Sequence, residues 1–217
     1  MPTFLLIRHG DHPLLPKCLA GRMPGVHLSP HGQEQARALA DLLGPAPIKA
    51  IYSSPLERAL ETAAPLAERK GLEVQVCAGV IELDYGQWMG RTFKQLERIK
   101  LWKVVKTTPS AVRFPEGETL GEAQARAAAG LEALAAACAE DDLVAVFTHG
   151  DIVRLLVAHY LQMPLDVYNR LGVNPASITV LHRDKEGRTW VPHINQVAGF
   201  EIREKKEEKN KKQPKIP

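Results

Sequence analysis

The segment TFLLIRHG, residues 3–10, indicates the architecture on which this chain is built. Its apolar run, residues 4–7, is typical of a buried strand in a parallel sheet. The run stops at Arg8 and His9, and the next residue is Gly10, which accepts backbone angles that other residues rarely adopt. Such an ending has two interpretations: the chain turns into solvent, or the end of the strand holds a site for an anion.

The rest of the chain alternates between strand-like and helical patterns. Further strands are predicted at residues 48–54, 73–77, 142–148, 177–181 and 190–194, and helices at 29–43, 54–71, 119–138 and 152–161. Pro192 restricts the last strand to an edge or a bulge, because proline cannot donate a ladder hydrogen bond. The alternation predicts an α/β domain with a mostly parallel sheet.

Local signals mark where several helices begin and end. Ser29 followed by Pro30 is typical of a helix start, and Gly71 suits a C-terminal cap. The spacing of a capping box occurs three times, in Ser54 with Glu57, Thr92 with Gln95 and Thr119 with Glu122. Pro65 is expected to kink the second helix or to end its first part, because it lacks a backbone N–H.

The net charge of +3 is concentrated at one end of the chain. Residues 203–217 hold seven Lys or Arg and three Glu, which leaves residues 1–202 at −1. A near-neutral body does not favour a nucleic-acid partner. We expect residues 1–202 to form one domain and residues 203–217 to be a disordered basic tail, with a basic interaction arm as the alternative. Residues 84–118, rich in Trp, Lys, Pro and Gly, are predicted to be an excursion that covers the ligand cleft.

Cysteine usage and hydropathy bear on where the protein works. The three cysteines are widely spaced and form no CxxC pair, so neither a disulfide framework nor a cysteine zinc site is predicted. A reducing cytoplasm fits this usage best. No apolar run approaches the ~20 residues of a membrane span, and the first residues do not have the pattern of a secretory signal. We therefore expect no membrane partner.

Unusual residues follow three of the predicted strands: Arg8-His9-Gly10, Ser53-Ser54-Pro55 with Arg58 one turn later, and Thr148-His149-Gly150. In open α/β sheets, ligands bind beyond the carboxyl ends of the strands, where helix N-termini also present free N–H groups. Two Arg, two His and two helix starts at one edge predict an anion pocket, and guanidinium geometry suits phosphate. Each residue alone also fits a solvated Arg or a core His, so the prediction rests on their conjunction.

The two histidines suit phosphoryl transfer as well as binding. A neutral imidazole is a competent nucleophile near pH 7, because its ordinary pKa is ~6.5. Phosphoryl transfer also needs an acid for the leaving oxygen. Glu82 is the candidate acid, since it follows an apolar pair and precedes the turn-prone Tyr85-Gly86. Taken alone, Glu82 would be interpreted as an ordinary surface carboxylate.

Five motifs occur in a fixed order: LLIRHG at 5–10, LSPHGQEQA at 28–36, IYSSPLERALETA at 51–63, IELDYGQWMGRTF at 81–93 and FTHGD at 147–151. From residue 3 to about residue 181 the chain resembles the histidine phosphatase superfamily, also called phosphoglycerate-mutase-like. The segment LWKVVKTTPSAVRFPEGETL, residues 101–120, resembles an uncharacterised bacterial subgroup of phosphomutases or phosphatases.

The resemblance implies a fold and a set of roles. The fold would be a mixed, mostly parallel sheet flanked by helices on both faces, with no metal or other cofactor. His9 would be the nucleophile that becomes phosphohistidine, and Glu82 the acid for the leaving alcohol and then the base for water. The phosphoryl group would be held by Arg8, Arg58 and His149.

The same resemblance gives expectations for the substrate side. Tyr85 matches a substrate-facing Tyr of the mutases, and Gly150 is assigned to substrate binding. Arg22 is predicted to reach the substrate, with a surface salt bridge as the alternative. Gly10 is expected to let the backbone turn close to the ligand. Asp151 is expected to orient a neighbouring side chain without contacting the ligand.

Two departures from the family pattern matter. After the Arg-His-Gly triplet, true mutases and many phosphatases of the family carry Glu-Ser or Glu-Thr and then an Asn, whereas this chain has Asp11-His12-Pro13-Leu14. The family's phosphate contacts from this segment are therefore open. Phosphoglycerate mutases also carry an adjacent Arg pair that grips a carboxylate, and Arg113-Phe114 breaks that pair here.

The leading interpretation is a metal-independent phosphomonoesterase acting on a small phosphorylated metabolite. The alternatives are a phosphomutase with the same phosphohistidine, and a non-catalytic module that binds a phosphorylated ligand. A metal hydrolase is disfavoured because no HxH or HExxH spacing occurs. Substrate choice is assigned to residues 84–118, the substrate itself is not predicted, and the oligomeric state stays open, a dimer included.

Overall fold

The computed structural model describes residues 2–183, 186 and 188–197, so the predicted basic tail lies outside the described residues. The strands in this part are β1 (Thr3–Arg8), β2 (Ile48–Ser53), β3 (Val74–Val76), β4 (Leu143–Thr148), β5 (Ile178–Arg183) and β6 (Thr189–Gln196). The α-helices in it are α1 (Pro30–Leu43), α2 (Glu57–Lys70), α3 (Phe93–Leu96), α4 (Lys100–Thr107), α5 (Leu120–Ala137) and α6 (Gly150–Tyr160).

These strands form one mixed sheet in the order β3-β2-β4-β1-β5-β6. The first four strands are parallel, while β5 runs antiparallel to β1 and β6 antiparallel to β5. The parallel register aligns Arg8 with Thr148, and Ser53 with Phe147. The carboxyl ends of β1, β2 and β4 therefore meet at one edge of the sheet. The prediction of a mixed, mostly parallel sheet is confirmed, as is the edge position of Pro192 in β6.

Alternate side chains of the central strands belong to two different cores. Phe4 and Leu6 of β1 pack in a core that also holds buried residues of α5 and α6. Leu5 and Ile7 pack in a core with buried residues of α1 and α2. Period-two alternation in β1 thus buries both faces of the sheet. The prediction of helices on both faces is confirmed.

Most helix boundaries agree with the local signals. Ser29 caps α1, with its Oγ accepting from the N–H of Gly32, and the capping boxes of Thr92 and Thr119 are both formed. Gly71 ends α2 in the left-handed conformation at φ +63°. Two expectations are wrong, and both concern α2.

The predicted capping box of Ser54 with Glu57 does not form. Helix α2 begins at Glu57 with Leu56 at the N-cap position and no side-chain cap. The Ser54 hydroxyl instead contacts Nε2 of His149 at 2.7 Å. Pro65 does not end the first part of α2, which continues to Lys70, while the kink stays a prediction. Pro65 is half-buried, and the following Leu66 and Ala67 are buried. The missing N–H removes one hydrogen bond from an otherwise well-packed helix.

The segment 84–118 leaves the sheet after β3 and returns at the start of α5. Its aromatic side chains pack on one another, with Trp88 edge-on to both Trp102 and Phe114. It also pairs with the loop that follows β1, through Gly90 N to Leu19 O at 2.8 Å and Leu19 N to Arg91 O at 3.0 Å. The excursion therefore supports the loop around residue 19. No described helix has the length and apolar character needed to cross a membrane.

Candidate active site

A cavity of about 110 Å³ lies at the carboxyl edge of the sheet. Arg8 and His9 reach it from the end of β1, Arg58 from the first turn of α2, and Glu82 from the loop after β3. His149, at the end of β4, is fully buried behind these residues, with its ring centroid 5.2 Å from that of His9. The structure thus brings together all five side chains predicted to carry the chemistry.

A contact of the His9 ring fixes which of its two nitrogens carries the proton. Its Nδ1 lies 2.8 Å from the carbonyl oxygen of Gly10, which can only accept, so Nδ1 carries the proton. The Nε2 atom then keeps a free lone pair. Burial, together with Arg58 and Arg8, holds the pKa of His9 well below its ordinary value of 6.5. His9 is therefore neutral at physiological pH.

The two predicted guanidiniums are only partly satisfied by the protein. Arg8 Nη1 donates to Val173 O at 2.6 Å, and Arg58 Nη2 donates to Gly21 O at 2.7 Å. Arg8 Nε, Arg58 Nε and Arg58 Nη1 are buried without a hydrogen-bond partner in the described part of the chain. Buried donors without partners are costly. An oxyanion bound in the cavity would satisfy them.

His149 is oriented by contacts on both sides of its ring. Arg58 Nη2 lies 3.3 Å from Nδ1 and has no acceptor capacity, so Nδ1 accepts and Nε2–H donates to Ser54 Oγ. Burial, followed by Arg58 and His9, holds the pKa of His149 well below 6.5. The hydroxyl predicted as a helix cap is thus a partner of the second histidine.

Glu82 is a buried carboxyl whose protonation changes near neutral pH. Burial, reinforced by the nearby charge of Asp151 and opposed by Arg58, raises its pKa to about 7 from 4.5. Its Oε1 accepts from Leu83 N at 2.9 Å, and its Oε2 lies 3.9 Å from Nδ1 of His149. A carboxyl that is half protonated near pH 7 can deliver a proton and take one back. The interpretation as an ordinary surface carboxylate is wrong.

Tyr85, Asp151 and Arg154 form a connected group on another wall of the cavity. Tyr85 Oη donates to Asp151 Oδ2, and Arg154 Nη1 donates to Asp151 Oδ1 at 2.8 Å. Arg154 Nε donates to Leu171 O at 2.9 Å. Asp151 orients its neighbours, as expected. Arg154 was not predicted, although it follows the end of β4 by six residues, much as Arg58 follows the end of β2 by five.

Two glycines allow close approaches of different kinds. A Cβ on Gly150 would lie 3.3 Å from both Arg154 Nη1 and Arg8 Nε, so Gly150 leaves room for two guanidiniums at the start of α6. A Cβ on Gly10 would lie 2.8 Å from the carbonyl oxygen of Gly32. The expectation that Gly10 lets the backbone turn close to the ligand stays a prediction, and the structure shows a second reason for this glycine. Gly10 makes room for the first turn of α1.

Arg22 is placed by ion pairs and not among the residues that line the cavity. Its Nε donates to Glu82 O at 2.8 Å, and its terminal nitrogens lie 3.3 Å from Asp84 Oδ2 and 3.0 Å from Glu118 Oε2. The salt-bridge alternative is thus the arrangement seen among the described residues, and the substrate contact of Arg22 stays a prediction. Its Nε and Nη1 donate to Glu82 O and Asp84 Oδ2, whereas Nη2 forms the ion pair with Glu118 without a hydrogen bond.

The loop after β1 also lines the cavity, which was not predicted from the sequence. Of residues 84–118 only Tyr85 lines the cavity, whereas the loop after β1 contributes His12, Leu15, Cys18, Leu19, Ala20 and Gly21. Residues 84–118 were expected to cover the ligand. In the structure Tyr85 reaches the cavity, whereas Gly90 and Arg91 hydrogen-bond to the loop after β1. The departure from the family pattern at Asp11-His12 was the signal in the sequence that this segment is unusual.

The site is suited to an anion and not to a metal ion. Among the described residues no group of three or more His, Cys, Asp or Glu side chains is arranged to hold a metal. Unsatisfied guanidinium donors, a neutral imidazole with a free Nε2 and a carboxyl that titrates near neutrality fit phosphoryl transfer. Fold and site together indicate an α/β enzyme that acts on phosphate esters.

Comparison with known proteins agrees with this class. The profile of the histidine phosphatase superfamily (branch 1) matches residues 4–196, and the chain belongs to this family. Phosphoserine phosphatase 1 of Hydrogenobacter thermophilus is 31% identical over 203 residues, covering 90% of this chain and 92% of the relative. Glucosyl-3-phosphoglycerate phosphatase of Mycobacterium tuberculosis is 31% identical over 182 residues, covering 77% and 79%.

A solved structure extends the likeness to the fold. The mycobacterial glucosyl-3-phosphoglycerate phosphatase complexed with VO3 superposes with a TM-score of 0.82 at 28% identity, covering 90% of this chain and 99% of the other. The resemblance read from the five motifs is therefore confirmed at the level of family and fold.

Proposed function

We propose that this protein is a metal-independent phosphomonoesterase that hydrolyses a small phosphorylated metabolite through a phosphohistidine on His9. One arrangement carries the proposal: the free Nε2 of His9, the unsatisfied donors of Arg8 and Arg58, and the carboxyl of Glu82 share one cavity. The names of the two phosphatase relatives support a phosphorylated metabolite as the substrate class.

In the first step the Nε2 lone pair of His9 attacks phosphorus. The bond from phosphorus to the ester oxygen breaks, and the leaving alcohol takes the proton of Glu82. Arg8 and Arg58 hold the non-bridging oxygens with the donors that the protein leaves unsatisfied, which stabilises the charge of the transition state. His149 donates from Nε2–H to Ser54 and accepts from Arg58 Nη2 at Nδ1, so it orients a guanidinium that holds this group; its own contact with the phosphoryl group stays a prediction.

In the second step the carboxylate of Glu82 takes a proton from water as the water attacks phosphorus. The bond between phosphorus and Nε2 breaks, inorganic phosphate leaves, and His9 returns to its neutral form with Glu82 protonated. The pKa of about 7 places Glu82 where it can serve as acid in one step and base in the next.

A phosphomutase is the second candidate, because it would use the same phosphohistidine and return the phosphoryl group to substrate. The position of Arg113 speaks against a glycerate phosphate. Its guanidinium donates to Gly117 O and to Glu122 on the exposed surface, and it does not line the cavity. A binding module without catalysis is less favoured, since both His9 and Glu82 are present and poised. We further propose a cytoplasmic location and a single domain over residues 1–202.

The proposal is tested by trapping the intermediate. Brief reaction of the full chain with a labelled phosphomonoester should place a base-stable, acid-labile phosphoryl group on His9. His9→Ala should lose both the label and turnover, whereas His31→Ala, which removes an exposed imidazole from α1, should keep both. Substantial turnover in His9→Ala would contradict the assignment. A panel of phosphorylated metabolites would then rank the substrates.

A further inference from the structure

His12 is a third imidazole at this cavity. It is only 3% exposed, lines the cavity, and its ring centroid lies 5.2 Å from that of His9. His149 lies at the same centroid distance from His9. The proposed nucleophile therefore lies beside two buried imidazoles, of which only His149 has an assigned part so far.

One ring nitrogen of His12 has no partner in the described protein. Its Nδ1 is buried with no hydrogen-bond partner among residues 2–183, 186 and 188–197. A buried polar nitrogen without a partner destabilises a fold, and native structures rarely keep one without a reason. His12 shares this feature with Arg8 and Arg58, whose unsatisfied donors are at the same cavity. The common explanation is a shared ligand.

The surrounding loop indicates why a histidine stands here. His12 follows the proposed nucleophile by three residues. Of the loop residues 12–21 that line the cavity, His12 has the only side chain with a nitrogen; the others are Leu15, Cys18, Leu19, Ala20 and Gly21. A strong side-chain hydrogen bond from this wall therefore depends on His12, since a thiol is a weak donor.

We propose that His12 binds the phosphoryl group at His9, donating a hydrogen bond to one of its oxygens as a neutral imidazole. This inference rests on the proposed function and adds to it one further phosphate-binding residue. Its environment is consistent with a neutral donor: burial, then Arg58 and Arg8, lower the pKa of His12 to about 4, against a small opposing effect of Asp11. His12 thus adds a donor without adding a further positive charge.

A different role for His12 would be to pack against His9 and only position it. The two roles differ once His9 is removed. A residue that only positions His9 has no effect on phosphate binding in a His9→Ala background, whereas a residue that contacts the phosphoryl group still does. The experiment is therefore a titration of full-length His9→Ala with inorganic phosphate by calorimetry, with and without a second substitution at position 12.

We expect His9→Ala/His12→Leu to bind inorganic phosphate about tenfold or more weakly than His9→Ala, the usual loss for one hydrogen bond to a charged group. His12→Asn and His12→Gln place an amide donor near the positions of Nδ1 and Nε2, so one of them should recover binding and identify the donating nitrogen. His9→Ala/His31→Ala is the control for loss of an exposed imidazole, and melting curves confirm that each variant is folded.

Equal phosphate affinity, within twofold, for His9→Ala and His9→Ala/His12→Leu would overturn the inference. If the wild-type protein hydrolyses p-nitrophenyl phosphate in that case, the proposed function stands and only His12 is misassigned. If the His12→Leu substitution prevents folding, the Asn and Gln variants test the inference instead. Weak phosphate binding by both, in folded protein, would contradict a hydrogen bond from position 12 to the phosphoryl group. A wild-type protein that neither turns over nor binds phosphate would overturn both proposals together.

Discussion

Replacing Glu82 by Gln should stabilise the folded protein above neutral pH while it removes the proposed acid. Glu82 is 8% exposed, and burial with the charge of Asp151 raises its pKa from 4.5 to about 7. Between these two values the unfolded chain has lost the proton and the folded chain has kept it. The stabilising contribution of Glu82 is therefore fully present below pH 4.5 and is lost as the pH rises through 7.

The magnitude follows from the same two values. A pKa difference of one unit corresponds to 1.36 kcal/mol, so the rise from 4.5 to about 7 corresponds to about 3 kcal/mol of stability lost by pH 8. Gln is uncharged at every pH and keeps an oxygen that can accept from Leu83 N. Glu82→Gln should therefore match the wild type near pH 4.5 and exceed it by up to about 3 kcal/mol at pH 8.

Urea unfolding at several pH values between 4.5 and 8 measures the effect. Glu68→Gln removes the same charge from an exposed position of α2 and serves as the control. It should follow the wild-type pH dependence. If Glu82→Gln also follows that dependence, without its stability gain growing with pH, the carboxyl is not held protonated and the proposed acid has no structural basis.

Three further outcomes test the chemistry. Arg58→Ala should lower kcat by about 10³-fold or more, because the guanidinium stabilises the anionic transition state; an effect on KM alone would restrict Arg58 to binding. Glu82→Gln should lose about 10²–10⁴ in single-turnover phosphorylation by alkyl phosphates and less by p-nitrophenyl phosphate, whose leaving group needs no acid; equal losses would leave Asp84 or Asp151 as the next candidate. Exhaustive chelation should leave the rate unchanged, and a rate restored by a divalent ion would favour a metal hydrolase.

The sequence predicted those parts of the fold that depend on regular patterns. The apolar runs of β1 and β4 predicted two buried parallel strands, and their ends predicted that Arg8, His9 and His149 would meet. These inferences hold because the carboxyl ends of parallel neighbours must lie at one edge of a sheet. Ser54 shows where a local pattern fails: its capping spacing is correct, but His149 competes for the same hydroxyl.

The sequence alone did not predict which of the remaining arginines and histidines reach the cavity, because tertiary contacts determine this. Arg22 and Arg154 look alike as isolated arginines, yet Arg22 meets Asp84 and Glu118 while Arg154 lines the cavity. Nothing in the spacing of either residue gives this difference, because the partners of Arg22 are distant in sequence and several separate segments line the cavity that Arg154 reaches. His12 was visible only as a departure from a motif, and its burial beside His9 required the folded loop.

Burial keeps both His9 and Glu82 in the protonation state that the proposed reaction needs, although it shifts their pKa values in opposite directions. Desolvation disfavours the charged form of each, so it lowers the pKa of His9 and raises that of Glu82. The proposed phosphorylation of His9 needs a neutral imidazole and a protonated carboxyl, which are the uncharged forms of both groups. The guanidiniums alone would not achieve this, since Arg58 helps to keep His9 neutral but opposes protonation of Glu82.

A change that opened the cavity to water would therefore move His9 and Glu82 toward their inactive forms together. Opening should narrow the pH range of the first step from both ends: protonation of His9 would set in at a higher pH, and loss of the Glu82 proton at a lower one.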